Sequence, residues 1–295
     1  MTCYHPLLAY KDNGKVVFNK PRPFALGFNL PCGQCIGCRL NYSRQWAIRC
    51  VHEAQMHENN AFITLTFNDE WLNARDNPNS LDVTEFQKFM KRLRFRTGCK
   101  IRFFHCGEYG DLNKRPHYHA VLFGYDFPDK VLWKKRDDVR LYISDQLAEL
   151  WPYGFSTIGD VTFQSAAYVA RYVMKKMTGE NAEKHYMHWD PSTGEGTPIT
   201  PEYCTMSRKP GIGASWLEKY KSDVYPHDYV VINGHKVKPP RFYDNQLSDE
   251  ELANLKKYRI ENSEDPIIDY GEAMDRLWVT EEVKIKKLEQ LIRNL

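Results

Sequence analysis

The sequence predicts an α+β protein: an antiparallel sheet of about five strands with helices packed against it. Three observations carry that expectation. Runs such as Ala61 to Phe67, where apolar residues alternate with threonines, have the two-residue period of a strand. Phe86, Phe89, Met90 and Leu93 instead recur with the period of a helix. Strands and helices intersperse along the chain, and the segments ending at Cys106 and Phe123 read as antiparallel neighbours.

Residues 1–31 are mixed, with Pro21, Pro23 and Pro31 breaking periodicity, and read as strand and loop. From Ile36 to Glu58 there is no proline and, after Gly37, no glycine. Trp46, Ile48, Val51, Ala54 and Gln55 there predict a long helix. After the strand at 61–67, Ser80 or Asp82 caps a helix carrying the Phe86 to Leu93 stripe. Strands follow over Ile101 to Cys106 and through His117 to Phe123. A polar, basic stretch from Lys130 to Arg140 leads into a short helix, Ser144 to Leu150, and then a strand between Gly154 and Thr162. A helix from Ser165 to Met177 stops at Thr178-Gly179. The segment His185 to Gly213, rich in Pro, Gly, Ser and Thr, reads mainly as loop. Ser248 to Glu261 and Thr280 to Asn294 read as helices separated by an acidic linker. The expected organisation is an N-terminal Cys-rich segment with a long helix (1–60), a central core (61–180) and a loop-rich, helical C-terminal extension (181–295).

Composition narrows the class. A chain of 295 residues with 42% hydrophobic residues and a mean hydropathy of −0.61 fits a globular protein with a sizeable core. No apolar run approaches a membrane span, and the N-terminus lacks a charged-then-apolar signal segment, so the protein is expected to stay where it is made. Eight cysteines without an export signal argue for thiols or metal ligands over a disulfide frame. Net charge is only +3, but Lys88, Lys91, Arg92, Arg94, Arg96, Lys100 and Arg102 form a stretch with no acidic residue. Such a stripe can neutralise phosphates, or can be an ordinary solvated helix face.

The chemistry-bearing residues fall into three groups. His117 and His119 are one residue apart, so on a strand they face the same way. If the strand carrying Glu108 pairs with theirs, one carboxylate and two imidazoles converge as ligands for a divalent cation with open coordination positions. Isolated HxH pairs are also common on surfaces and in satisfied cores. Cys32, Cys35 and Cys38 form CxxCxxC, with Cys3, His5 or Cys50 available as a fourth ligand. This spacing suits structural Zn²⁺, with an iron–sulfur cluster or three metal-free thiols as alternatives. Tyr168 and Tyr172 lie at i and i+4 on a helix, one turn apart, followed by Lys175 and Lys176. Tyrosines at this spacing usually pack against neighbours. Beside a metal site, a phenol of pKa ~10 becomes a candidate nucleophile. Cys99, Cys106 and Cys204 read as ordinary core residues. The basic, turn-forming Ser207 to Gly213 segment is either a DNA contact or a plain surface loop.

FITLTF, then GEYG with RPHYHAVLFG, then YVARYVMKK, in that order, resemble motifs I, II and III of the HUH endonucleases, the rolling-circle replication initiators. More narrowly, the chain resembles the replication initiation proteins of gokushovirus-like microviruses, a likeness that extends to LPCGQCIGCRLNYSRQWAIRCVHEA and MSRKPGIG and so covers residues 1 to about 220. The resemblance implies a metal-dependent, site-specific DNA endonuclease with strand-joining activity. Glu108, His117 and His119 would bind Mg²⁺ or Mn²⁺; Tyr168 and Tyr172 would be alternating nucleophiles; Lys175 would steady phosphate charge or phenolate. Thr64 and Thr66 would shape the sheet or contact DNA, and Lys88, Lys91, Arg92, Arg94 and Arg96 are candidate DNA contacts. The implied partners are phage origin DNA, a host helicase and a polymerase, and the implied location is the host bacterial cytoplasm. A relaxase or transposase of the same superfamily would share the chemistry. A non-catalytic, zinc-containing DNA-binding protein would need the cysteines and the basic stripe but not the tyrosines.

Overall fold

The computed structural model describes residues 3–110, 113–136, 139–172, 182–262 and 270–290. The chain divides into two compact units, Met1–Tyr42 with Ala253–Leu295, and Ser43–Leu252. The smaller unit begins with β1 (Leu7–Asp12), β2 (Lys15–Val17) and β3 (Gly27–Leu30), an antiparallel sheet in the order β2-β1-β3. The division between the units falls within α1 (Ile36–Ala54). The chain then runs through β4 (Asn60–Leu65), α2 (Asp69–Asn73), α3 (Val83–Thr97), β5 (Arg102–Tyr109), β6 (Pro116–Phe123), β7 (Val131–Arg136), β8 (Val139–Ile143), α4 (Asp145–Leu150), β9 (Ser156–Gly159), α5 (Phe163–Tyr172), α6 (Ala182–His185), β10 (Met187–Trp189), β11 (Gly196–Pro198), β12 (Tyr203–Met206), α7 (Ala214–Val224), β13 (Val230–Ile232), β14 (His235–Val237) and α8 (Arg241–Asp244). Two helices follow, α9 (Asp249–Glu261) and α10 (Tyr270–Glu289).

The α+β expectation holds, with a larger sheet. Seven strands run β12-β5-β6-β4-β9-β8-β7, and every pairing is antiparallel. The strands beyond five are accounted for by the β7–β8 hairpin, which occupies the basic stretch at Lys130 to Arg140, and by β12, inside the stretch read as loop. The histidine strand β6 is interior, between β5 and β4. The C-terminal helix starts at Tyr270, ten residues before the expected start.

Side-chain alternation gives this sheet two covered faces. On one, Ile63 and Leu65 of β4 and Tyr118, Ala120 and Leu122 of β6 pack with Phe86, Phe89, Met90 and Leu93 of α3 and Leu147 and Leu150 of α4. On the other, Phe62, Val121, Phe123, Phe104 and Cys106 pack with Ala47 and Cys50 of α1 and Ala166, Val169 and Ala170 of α5. Caps fix where these helices begin. Asp82 Oδ1 accepts from the Thr84 amide (2.8 Å) and Ser144 Oγ from the Leu147 amide (3.0 Å).

The Ser207 to Gly213 segment is held to the fold along its length. Ser207 continues the β12–β5 pairing through its amide, which donates to Phe103 O (3.0 Å). Arg102 and Arg49 donate to the carbonyls of Pro210 (2.7 Å) and Ile212 (2.9 Å). The Gly213 amide donates to the buried Glu53 carboxylate (2.7 Å), which also accepts from Arg102 Nε (2.5 Å). Gly213 has φ +79°, and a Cβ there would stand 2.8 Å from the Tyr243 hydroxyl, so both conformation and space require glycine.

Candidate active site and metal centres

The antiparallel pairing of β5 with β6 sets Glu108 directly opposite His117 and Cys106 opposite His119. All three ligand candidates therefore share the sheet face covered by α1 and α5. Glu108 Oε1 lies 2.5 Å from His117 Nε2 and 2.9 Å from His119 Nε2. Glu108 and His119 side chains are only 2% exposed, whereas His117 is 18% exposed and opens the cluster to solvent.

Hydrogen bonding on the far side of each ring shows what this cluster is suited to hold. His117 Nδ1 faces the Arg115 carbonyl at 3.1 Å, and a carbonyl only accepts, so Nδ1 carries the hydrogen. In the neutral ring the Nε2 lone pair then points at a carboxylate oxygen, an acceptor facing an acceptor unless a proton or cation lies between. His119 Nδ1 pairs with Thr64 Oγ1 at 2.9 Å, the kind of outer partner that orients a metal-binding imidazole. Glu108 Oε2 is buried without a hydrogen-bond partner among the described residues. Burial pushes the Glu108 carboxyl up, but the hydrogen bonds and charge of His117 and His119 outweigh it and hold the group below its usual range. Ligands cis to one another on Mg²⁺ or Mn²⁺ stand ~3 Å apart, so these spacings and this orphaned anionic oxygen fit a hard divalent cation.

Tyr168 stands beside this cluster. Its ring meets His119 edge-on, with centroids 5.0 Å apart at 89°. Phe62 backs both, stacked on His119 (5.6 Å, 14°) and edge-on to Tyr168 (6.4 Å, 83°). Ala166, Val169 and Ala170 seat α5 on the sheet, and Ser165 and Thr162 cap its first turn reciprocally (2.8 and 3.1 Å). Tyr172 ends α5, one turn beyond Tyr168. The Tyr172 side chain and Lys175 lie outside the described residues.

A second cluster lies in the smaller unit. Cys3, Cys32, Cys35 and Cys38 bring their sulfurs within 4.8 Å of one another. Of the three candidates for fourth ligand, Cys3 takes that place. His5 pairs with Glu281 (2.7 Å), and Cys50 is fully buried in the sheet core. Tetrahedral Zn²⁺ with Zn–S near 2.3 Å sets sulfurs ~3.8 Å apart; Cys3 and Cys35 stand at 3.9 Å. The amides of Tyr4 and Cys35 donate to Cys35 Sγ (3.3 Å) and Cys32 Sγ (3.2 Å), as thiolates require. Burial raises the Cys35 thiol, yet these hydrogen bonds prevail and bring it down to about 6, while burial and the neighbouring sulfurs push Cys38 up to about 12.

The basic stripe lies elsewhere. α3 packs on the sheet face opposite the triad, and much of its charge is already engaged. Arg92 donates to Leu150 O (2.9 Å) and the Tyr153 hydroxyl (3.2 Å), Arg94 to Ile101 O (2.6 Å), and Arg96 pairs with Glu149. Lys88, Lys91 and Lys100 are exposed, and Arg102 is buried against Glu53. Of the cysteines read as core residues, Cys106 is buried, Cys204 is partly buried and Cys99 is exposed at the end of α3.

Comparison with known proteins places this geometry among relatives. The family described as replication-associated protein ORF2 matches residues 60–177, a span that holds the triad and the tyrosine helix. The chain is 34% identical to the replication-associated protein VP4 of Bdellovibrio phage phiMH2K over 258 residues, covering 83% of this chain and 76% of that protein. It is 31% identical to the replication-associated protein ORF2 of Spiroplasma virus 4 over 276 residues, 85% and 81% of the two chains. It is also 31% identical to the replication-associated protein ORF4 of Chlamydia phage 1 over 230 residues, 75% and 54% of the two. No solved structure matches the chain.

Proposed function

The chain belongs to the family of phage replication-associated proteins, and from that premise we propose that it nicks one strand of the phage origin by tyrosine attack and later rejoins that strand into a circle. The observation that carries this reading is the Tyr168 ring lying 5.0 Å from that of His119, on the face where Glu108 keeps a buried, unpaired oxygen. Glu108, His117 and His119 would hold Mg²⁺ or Mn²⁺, which polarises the scissile phosphate. The tyrosine oxygen forms a bond to phosphorus, the bond from phosphorus to the 3′ oxygen breaks, and the departing 3′ oxygen takes up a proton as the phenol loses one. A 5′-phosphotyrosine and a free 3′-OH result. The phosphotyrosyl bond keeps the energy of the diester, so the reverse attack by a 3′-OH joins strands without ATP. Tyr168 and Tyr172, one turn apart, serve as alternate nucleophiles, and Lys175 steadies the charge developing on phosphate or phenolate.

The free 3′-OH primes a polymerase, and strand separation falls to a host helicase. The work belongs in the host bacterial cytoplasm, where the replicative DNA is; among the described residues no helix is long and apolar enough to cross a membrane. Cys3, Cys32, Cys35 and Cys38 hold structural Zn²⁺, separate from the catalytic cation. Lys88 and Lys91 remain available for DNA backbone contacts, while Arg92, Arg94 and Arg96 would contact it only by leaving their present partners. A relaxase or transposase role would use the same chemistry, and the family assignment favours replication.

The test is incubation with supercoiled origin DNA and Mn²⁺. Nicked circles bearing covalently attached protein are expected. Absence of both nick and adduct rules the reading out. Tyr168→Phe and Tyr172→Phe should each retain some single cleavage, and the double variant none; a double variant that still cuts puts the nucleophile elsewhere.

A further inference from the structure

We propose that Trp133 and Phe155 form a stacking platform for the bases of single-stranded DNA on the triad face of the sheet, an inference that rests on the DNA-cleaving reading above. Trp133 is 48% and Phe155 50% exposed, and their rings meet edge-to-face at 5.0 Å. Neither belongs to any of the three hydrophobic clusters. Two large aromatic rings paired in solvent at a sheet edge need a reason other than core packing.

Register places the pair on the correct side. Leu65 pairs with Ser156, and one residue further the Thr66 amide (2.9 Å) and hydroxyl (2.7 Å) both donate to Phe155 O. Phe155 is therefore opposite Thr66, two residues beyond Thr64, on the face where Thr64 meets His119. The β7–β8 register shifts between Leu132 and Lys134, so Trp133 sits at a bulge, a device that redirects a side chain. Lys134 pairs with Leu141, Leu141 with Gly159 and Gly159 with Phe62, which puts Lys134 on the triad face too. Its Nζ lies 5.9 Å from the Trp133 ring. β9 is two strands from β6, roughly 10 Å across the sheet, within reach of nucleotides flanking a phosphate at the triad. Residues 130–142 hold five basic and two acidic residues. Aromatic faces beside cations are what a single strand's splayed bases and phosphates engage, whereas a duplex keeps its bases stacked internally.

The experiment measures binding of fluorescein-labelled (dT)20 to the full chain in EDTA, where the cation-dependent cleavage is off. Trp133→Ala and Phe155→Ala should each weaken binding about tenfold, with Trp133→Phe within threefold of wild type. Lys134→Ala should lower the salt slope of log K by about 0.7. Thermal midpoints near wild type exclude misfolding for these exposed positions. If both alanine variants bind (dT)20 within twofold of a wild type that forms the origin adduct, the platform is wrong and the cleavage reading stands. If the alanine variants lose (dT)20 affinity but wild type forms no adduct, the platform stands and the cleavage reading falls. A concentration-dependent dimer that Trp133→Ala abolishes, with (dT)20 affinity unchanged, overturns the platform in favour of a contact between copies.

Discussion

Thr64 shows how much of the candidate site rests on one hydroxyl. It neither faces solvent as a free group nor packs as an ordinary strand residue; its Oγ1 meets His119 Nδ1 at 2.9 Å. With Nδ1 donating to Thr64, the Nε2 lone pair faces Glu108, where a cation would bind. Outer partners of this kind change metal affinity by roughly 10- to 100-fold when removed. Thr64→Val keeps the shape and β-branching that suit β4, so the sheet should be little affected. Mn²⁺ titration followed by electron paramagnetic resonance should show binding weakened by about tenfold or more, with Thr64→Ser restoring it. Equal affinity in all three proteins would mean that the hydroxyl does not orient the ring. The threonine is visible in FITLTF, but its partner is not, because only the β4–β6 register sets Thr64 opposite His119.

Among the elements, legibility follows local pattern. β4, β5, β6 and α3 are buried on at least one side and announce themselves by period, and the HxH spacing together with Glu108 locates the triad without knowledge of the pairing. β7 and β8 are hidden because their exposed hairpin at a sheet edge has no core-facing alternation, and a bulge breaks its register. β12 has four residues and is a strand by virtue of pairing with β5. The Cys-rich segment needs Cys3, brought to Cys32 by a chain reversal through β1–β3 that CxxCxxC cannot reveal. If the tetrad holds zinc, purified protein should carry about one equivalent by elemental analysis, lost in Cys3→Ser and kept in Cys50→Ser. Zinc retained by Cys3→Ser would remove Cys3 from the ligand set. The 207–213 loop makes the opposite point: its basic residues suggest DNA, yet its buried half anchors the fold through Glu53. Gly213→Ala should cost about 1–3 kcal/mol, read as a lowered urea midpoint, because φ +79° and the Tyr243 hydroxyl at 2.8 Å both resist a Cβ. An unchanged midpoint would mean that the loop relaxes without cost.

At the scale of the molecule, the larger unit commits its two sheet faces to different tasks. One is closed by α3 and α4 around a wholly structural core, while the other carries the triad, the tyrosine helix and the exposed aromatic pair. Behind that working face α1 meets α7 and α8 through a third cluster, against which a buried histidine packs. His52 is stacked on Trp216 with centroids 3.5 Å apart, and its Nδ1 meets the Tyr243 hydroxyl at 2.8 Å. Burial pulls the His52 imidazole down from 6.5 to about 3, so it is neutral in the fold at neutral pH. The unfolded chain can protonate this residue below about pH 6.5, whereas the folded chain resists until about pH 3. Above the unfolded value both states are neutral and His52 contributes no pH dependence. As pH falls through the window between the two values the unfolded state gains the proton first, so stability should fall by up to about 1.4 kcal/mol per pH unit for this one group. His105, fully buried against Phe86, is pulled down by burial in the same direction and adds to the slope. Urea midpoints collected from pH 8 to pH 4 should be flat at first and then decline. His52→Gln, which titrates in neither state, should show a shallower decline by about one proton's worth. A variant as steep as wild type would mean that the acid sensitivity of the fold arises elsewhere than in this buried stack.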